Sequence, residues 1–130
     1  MDMPGLFRKR SRAEVGKAAE QAANNFLEAH GCITIERNYH CRMGEIDLVM
    51  RHGETLVFVE VRYRQRSEYG SGAESVGPRK QGRLIRTAQH YLQTRGLTDR
   101  CPVRFDVVAL RPNPGDGFAI DWIPNAFETL

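Results

Sequence analysis

The sequence predicts an α/β domain in which one mixed sheet is flanked by helices, with the elements in the order αβββαββ. Two segments repeat apolar residues at helical spacing, and five shorter segments are rich in β-branched and aromatic residues. The length agrees, because 130 residues suit a single domain with one buried core. We therefore expect one domain over residues 13–130 and, before it, a flexible basic arm over residues 1–12.

The two helices are predicted from their apolar spacing and from the residues at their ends. The first covers residues 13–30 and stops before Gly31, which suits a left-handed cap. The second begins at Pro78, which suits the first helical position, and ends at Gly96. Their apolar stripes are Val15, Ala19, Ala22 and Phe26 in the first helix and Leu84, Ala88, Tyr91 and Leu92 in the second.

The five predicted strands cover residues 32–39, 45–51, 55–64, 103–110 and 118–123. In the first strand, Ile33 and Ile35 alternate with polar residues and are expected on one side. In the third strand, the run Leu56–Val59 predicts burial on both faces of the sheet. The glycines and small residues of segment 67–77 predict a mobile loop before the second helix.

The composition excludes several classes of protein. Hydrophobic residues make up 41% of the chain and charged residues 27%, which excludes wholesale disorder and fibrous repeats. The sequence has neither an apolar run of membrane-span length nor a secretion signal, so we expect a cytoplasmic protein that binds no membrane. The three cysteines, Cys32, Cys41 and Cys101, match neither a disulfide framework nor a metal clip, and no glycine-rich loop predicts a nucleotide cofactor.

The basic residues indicate an anionic partner. Lys and Arg exceed Asp and Glu by 19 to 16, and 16 of the 19 are arginines, whose planar guanidinium group grips phosphate in two places. A genome that favours arginine codons is the alternative explanation. The candidate nucleic-acid contacts are Arg64 at the end of the predicted third strand and Arg79, Lys80, Arg83 and Arg86 on the second helix, whose basic side is otherwise an ordinary solvated face.

Two acids interrupt apolar strands where the pattern calls for hydrophobic residues. Asp47 stands within the second strand and Glu60 within the third, and burying a carboxylate without a partner is costly. An even-numbered hairpin loop around Gly53 puts the two acids on one face, with Cβ atoms roughly 5–8 Å apart, whereas an odd loop separates them. Arg62 shares the side of Glu60. Two carboxylates and a cation are what metal-assisted phosphodiester hydrolysis requires.

Two further acids have open interpretations. Glu45 lies on the Asp47 face and is either a further ligand or an ordinary acid at the end of a strand. Glu20 follows Gly16 by one helical turn, and the missing side chain of Gly16 is expected to let the helix approach the sheet there. Otherwise Glu20 is an ordinary exposed helical acid.

Several motifs together resemble the YraN-like family of small bacterial proteins, over about residues 14–108. They are Gly16-x-x-Ala19-Glu20, Gly44–Val49, Val57–Arg64, the helix from Lys80 to Leu92, and Arg104–Val108. The resemblance implies a restriction-endonuclease-like fold, related to Holliday-junction resolvases and to the catalytic domains of tRNA-splicing endonucleases. The active site of that superfamily has an acid on the first helix, then an aspartate, then a Glu-x-Lys motif.

The resemblance implies catalytic roles for Glu20, Asp47, Glu60 and Arg62, with Asp47 and Glu60 as ligands of Mg²⁺ or Mn²⁺. Arg62 departs from the superfamily, which usually has lysine at this position. Arginine is always protonated and cannot share a proton with an attacking water molecule, so the resemblance supports metal binding better than turnover.

We expect a nucleic-acid-binding protein, with DNA favoured over RNA, that acts as a metal-dependent endonuclease. The alternatives are a non-catalytic nucleic-acid-binding module of nuclease fold and a scaffold for DNA-processing partners. Resolvase-like enzymes act as symmetric pairs, which leaves a homodimer open.

Overall fold

The computed structural model describes residues 10–65, 76–115 and 117–128, and within them it contains two helices and five strands. The predicted α/β class and the order αβββαββ are confirmed. Residues 1–9 of the predicted arm and most of the predicted loop over 67–77 lie outside the described residues. The elements are α1 (Arg12–Ala29), β1 (Cys32–Cys41), β2 (Gly44–His52), β3 (Thr55–Tyr63), α2 (Pro78–Thr94), β4 (Val103–Pro112) and β5 (Phe118–Phe127).

The five strands form one sheet in the order β1-β2-β3-β4-β5. Strands β3 and β4 are parallel, joined through α2, and the other neighbours are antiparallel. Phe58 packs in a cluster with Leu84 of α2, whereas the next residue, Val59, packs in a cluster with Leu27 of α1. Successive strand residues point to opposite faces, so the two helices cover opposite faces of the sheet.

Helix α1 begins at a capping box. The Ser11 hydroxyl accepts a hydrogen bond from the Glu14 N–H at 3.2 Å, and the Glu14 carboxylate accepts one from the Ser11 N–H at 3.3 Å. Such caps contribute about 1 kcal/mol. The prediction that Gly16 allows a close approach to the sheet is wrong, because no atom of the described residues would lie within 4 Å of a Cβ atom at this position.

The two edge strands differ most from the sequence-based predictions. Ile33 and Ile35 on β1 are 52% and 47% exposed, while Cys32 is buried against α1, and a register shift falls between Thr34 and Glu36. Alternation alone does not say which side of an edge strand is covered. Strand β5 continues beyond its predicted end, because a proline on an edge strand removes no obligatory ladder hydrogen bond. Of the helices in the described residues, none is long and apolar enough to cross a membrane.

Asp106 on β4 is buried on the α1 side of the sheet and has four hydrogen-bond donors. Arg104 donates through Nε at 3.0 Å and through Nη2 at 3.2 Å, Trp122 Nε1 donates at 2.9 Å, and the backbone N–H of Asn125 donates at 2.9 Å. These bonds tie β5 to β4 beside the register shift that separates their two stretches of pairing. We assign Asp106 a structural role, because both of its oxygens are already occupied.

Candidate active site

The hairpin formed by β2 and β3 brings the two predicted acids together. Its loop has two residues, and Gly53 has the positive φ of 64° that the first position of such a loop needs. The pairing extends as far as Leu48 with Val59, so the next residues in register are Asp47 and Glu60. The even-numbered loop that the same-face prediction required is therefore present.

Pairing between β2 and β3 ends at these acids. Asp47 Oδ2 accepts a hydrogen bond from the Val61 N–H at 2.8 Å. The Asp47 side chain thus takes the place of the backbone carbonyl oxygen that accepts such a bond elsewhere between paired strands. Strand β3 continues beside β4, where Glu60 pairs with Val107 and Val61 with Val108. The Asp47 carboxyl group is thus held by backbone at the point where the pairing of two strands ends.

A second irregularity lies in register with Asp47 on β1. Asn38 has a left-handed φ of 54°, and its Nδ2 donates a hydrogen bond to Glu20 Oε1 of α1 at 3.0 Å. Arg37 Nη2 lies 3.8 Å from the same oxygen. Asparagine tolerates this conformation better than most residues, which is the one sequence signal that Asn38 offers. The sequence pattern predicts no role for Asn38.

The surroundings of Asp47 raise its pKa to about 8. The largest cause is burial, followed by a hydrogen bond to the Glu60 carboxyl group and by the charge of that group. The Val61 N–H lowers the pKa, and the charge of Glu20 raises it further. At neutral pH the Asp47 carboxyl group therefore keeps its proton.

Glu60 is the more deeply buried acid, at 6% exposure. Its Oε2 lies 2.5 Å from Nζ of Lys80, close enough for a hydrogen bond, but the angles do not form one. Glu60 Oε2 therefore has a charged partner and, among the described residues, no hydrogen-bond donor.

Lys80 reaches Glu60 from the sheet-facing side of α2. It precedes Leu84 and Ala88 by one and two helical turns, and both of those side chains are buried. Three predicted nucleic-acid contacts, Arg79, Arg83 and Arg86, are instead exposed. By charge alone, the sequence places Lys80 with these arginines. The spacing of Lys80 from the apolar stripe of α2 is the sequence signal that distinguishes it from the exposed arginines.

The acid pair and Lys80 line a cavity of about 470 Å³ whose wall also contains Arg83 and the exposed Glu45. The wall is closed by the turn between β1 and β2. A Cβ atom at Gly44 would lie 3.0 Å from Thr87 Oγ1 of α2, so only glycine lets this turn approach the helix so closely. His40 and Cys41 of the same hairpin also line the cavity.

The other predicted site residues lie around this cavity without lining it. Glu20 accepts a hydrogen bond from Asn38, and its charge raises the pKa of Asp47, which does line the cavity. Arg62 is half-buried on the same strand as Glu60. Arg64 is exposed just beyond the end of β3. The Tyr63 ring packs edge-on against Phe118 with a centroid distance of 5.8 Å, which fits a packing role.

The described part of the chain contains no group of three or more His, Cys, Asp and Glu side chains arranged to hold a metal ion. The acid pair thus offers two carboxylate ligands. A Mg²⁺ ion commonly takes one or two carboxylates and completes its shell with water and substrate phosphate. The donor set is therefore sufficient for a substrate-assisted metal site.

Comparison with known proteins identifies relatives over most of the chain. The model of "Uncharacterised protein family UPF0102" matches residues 19–110. A UPF0102 protein of Hahella chejuensis is 49% identical, with 88% of this chain and 90% of that protein covered. Another from Nitrosococcus oceani is 49% identical, covering 87% and 90%, and one from Pseudomonas savastanoi pv. phaseolicola is 45% identical, covering 92% and 97%.

Among solved structures, Pyrococcus furiosus SfsA in complex with Ca²⁺ matches with a TM-score of 0.39 and 17% identity. The match covers 84% of this chain but only 62% of the SfsA chain, less than two thirds of its length. The sequence relatives confirm the family resemblance found in the motifs. This chain belongs to the UPF0102 family.

Proposed function

We propose that this chain is a metal-dependent nuclease that binds nucleic acid and hydrolyses its phosphodiester bonds, with Asp47 and Glu60 as the ligands of Mg²⁺ or Mn²⁺. The observation that carries the proposal is Glu60 Oε2, a buried oxygen that has the Lys80 ammonium group as ion-pair partner but no hydrogen-bond donor among the described residues, beside a second carboxyl group in the same cavity. A buried acceptor left without a donor costs about 1–3 kcal/mol, and more when it is charged. A divalent cation would offset that cost.

The donor set fits such an ion. Carboxylate oxygens are the ligands that hard divalent cations prefer, and the open cavity leaves space for water and a phosphate group. When bound, the ion would polarise the phosphodiester and lower the pKa of a coordinated water molecule. Asp47 must lose its proton to serve as a ligand, because its pKa of about 8 leaves it protonated at neutral pH.

The chain's own residues hold this arrangement in place. The Val61 N–H fixes the Asp47 carboxyl group at 2.8 Å, and strand β3 carries Glu60 at the same level. Glu20 accepts a hydrogen bond from Asn38, and its negative charge acts on Asp47. This charge would favour a cation bound at the acid pair over an empty pair of carboxylates. Arg83 on the cavity wall supplies a guanidinium group for a phosphate oxygen.

The exposed arginines of α2 support binding of a polyanion. Arg79, Arg83 and Arg86 are spaced by four and three residues, so they form one row roughly 10 Å long on the helix surface. The row passes the acid pair at Arg83. Rows of this kind bind successive phosphates without reading base sequence. We favour DNA over RNA as the ligand because of the resolvase-like resemblance.

A second candidate function is nucleic-acid binding without cleavage. The contact between Lys80 and Glu60 favours it, because the ammonium group already balances the buried charge in the absence of a metal ion. In this case the arginine row binds the polyanion and the acid pair is only a structural remnant. Arg62, in place of the superfamily's usual lysine, supports the same alternative.

Cleavage by wild type and by Asp47→Asn distinguishes the two functions. Branched, duplex and single-stranded DNA are incubated with Mn²⁺ or Mg²⁺, and binding is measured separately by mobility shift. We expect wild type to cut at least one substrate and Asp47→Asn to bind it without cutting. Asp121→Asn is the matched control, because Asp121 is exposed on β5 and pairs with Arg111. Binding without cleavage by wild type supports the second candidate, and absence of both overturns both.

A further inference from the structure

We infer that Lys80 of α2, and not Arg62 of β3, is the cation that contacts the scissile phosphate beside the acid pair. This inference rests on the proposed nuclease function and deepens it. Lys80 Nζ lies 2.5 Å from Glu60 Oε2, and Lys80 lines the cavity together with Asp47 and Glu60. Arg62 follows Glu60 by two residues on the same strand but does not line that cavity.

Helix stability does not account for a lysine at position 80. The first turn of α2 contains no acidic residue, Gly77 gives no side-chain cap, and the positive end of the helix dipole disfavours a cation there. On the sheet-facing side, the positions one and two turns later are the apolar residues Leu84 and Ala88. A cation that breaks two local rules at once is expected at a functional position.

The burial of the pair indicates where the ammonium group is available. The Glu60 side chain is 7% exposed, whereas 37% of the Lys80 side chain remains exposed. An ammonium group has three N–H donors, and its contact with Glu60 is an ion pair without hydrogen-bond geometry, so donors remain for a phosphate oxygen in the cavity. Lys80 thus contacts Glu60 on one side and lines the cavity on the other.

Lys80 acts in this scheme by charge. A water oxygen forms a bond to phosphorus, the bond between phosphorus and the leaving oxygen breaks, and the proton released by the water reaches the leaving oxygen through solvent. Negative charge grows on the non-bridging phosphate oxygens meanwhile, and the N–H groups of Lys80 stabilise it. Arg62 is not among the residues that line the cavity, and this step does not use it.

Lysine protection gives a test that does not depend on cleavage. The chain has three lysines, of which Lys17 is exposed on α1, away from the cavity, and serves as the internal control. Reductive methylation with and without a bound DNA duplex, read by mass spectrometry, should show Lys80 protected about fivefold or more and Lys17 unchanged. Equal labelling of Lys80 with and without DNA would overturn the inference.

Variants test the same inference through rate. Lys80→Met should lower single-turnover cleavage with Mn²⁺ about 100-fold or more, as expected for loss of one charge-stabilising donor, with duplex affinity within about threefold of wild type. Lys80→Arg should recover part of the rate because it restores the charge. Arg62→Met and the control Lys17→Met should stay within about tenfold of wild type. Lys80→Gln replaces Lys80→Met if the latter fails to fold.

The outcomes separate this inference from the function on which it rests. If wild type does not cleave DNA, the nuclease proposal and this inference are both overturned. If wild type cleaves and Lys80→Met cleaves equally well, only the inference is overturned. A large loss in Arg62→Met with none in Lys80→Met would assign the cation to the strand instead.

Discussion

Two buried carboxylate groups in the same sheet differ in how fully their oxygens are hydrogen-bonded. Asp106, 1% exposed on the α1 side, receives four hydrogen bonds and has both oxygens occupied. Glu60, 6% exposed beside the cavity, has an oxygen that is paired with Lys80 but receives no hydrogen bond from any residue that the structure describes. A buried acid that the protein fully satisfies holds the fold together. One that it leaves incomplete retains capacity for a ligand.

The positions of the two sites in the sheet explain the difference. Asp106 accepts hydrogen bonds from residues of β4 and β5. These bonds replace backbone hydrogen bonds between two strands that are paired on either side of Asp106. The acid pair lies where the pairing of β2 with β3 ends, and a backbone N–H is given to Asp47. The first arrangement is closed to solvent and the second opens into a cavity.

The largest effect on stability is expected from removing Asp106, the fully hydrogen-bonded carboxylate. Asp106→Ala leaves the Arg104 guanidinium group and the Trp122 and Asn125 N–H groups without their acceptor, so we expect a loss of about 3–5 kcal/mol in the free energy of unfolding. Urea denaturation measures it. The exposed control Asp121→Ala should cost less than about 1 kcal/mol. Similar losses in both variants would contradict the structural role of Asp106.

The incomplete site should respond to pH in the opposite sense from an ordinary salt-bridged acid. The pKa of Asp47 rises from 3.8 to about 8 on folding, so between these values the native state binds more protons and stability falls as pH increases. From pH 6 to pH 8 wild type should lose roughly 2–3 kcal/mol relative to Asp47→Asn, whose neutral amide has no proton to lose. If the free energies of unfolding of the two proteins change equally with pH over this range, the raised pKa of Asp47 is refuted.

Divalent cations should stabilise wild type through the same pair. At ten times the dissociation constant, Mn²⁺ should raise the free energy of unfolding by about 1.4 kcal/mol. The gain at a fixed Mn²⁺ concentration should be larger at pH 8 than at pH 6, because less work is then needed to remove the Asp47 proton. Thermal melts of wild type and Asp47→Asn at both pH values check this. An equal gain in the variant would place the ion elsewhere.

The smallest effect on stability belongs to the arginine row outside the cavity. Arg86→Ala should change the free energy of unfolding by less than about 0.5 kcal/mol, since Arg86 is exposed. It should nevertheless reduce the dependence of log affinity for duplex DNA on log salt by about 0.9. Arg100→Ala, exposed beyond the far end of α2, is the matched control and should leave the slope unchanged. Equal slopes for all three proteins would remove the row from the interface.

Sequence alone predicted the elements and the acid pair because both depend on short-range pattern. Helical and alternating spacing depends on neighbouring residues, and a two-residue loop fixes which residues of a hairpin face each other. Asp47 and Glu60 were therefore accessible from the sequence. The length of β5 and the exposure of Ile33 and Ile35 were not, because they depend on which strand lies at an edge.

The contact between Lys80 and Glu60 was not predicted, for a different reason. Arg62 follows Glu60 by two residues and was named as the cation because of that spacing, whereas Lys80 becomes a neighbour of Glu60 only when α2 packs on the sheet. Its spacing from Leu84 indicated the correct side of the helix, but not the acid that it meets there. The contact between Gly44 and Thr87 is equally a product of packing between distant segments.

The division of the cavity between a local hairpin and a distant helix has a consequence for biosynthesis. A partly synthesised chain that has formed only β2 and β3 already carries both acids, but it lacks the ammonium group supplied by α2. Lys80 arrives only when the parallel crossover between β3 and β4 docks its helix on the sheet. Under the proposed chemistry, unfinished or misfolded copies are inert toward the nucleic acid around them.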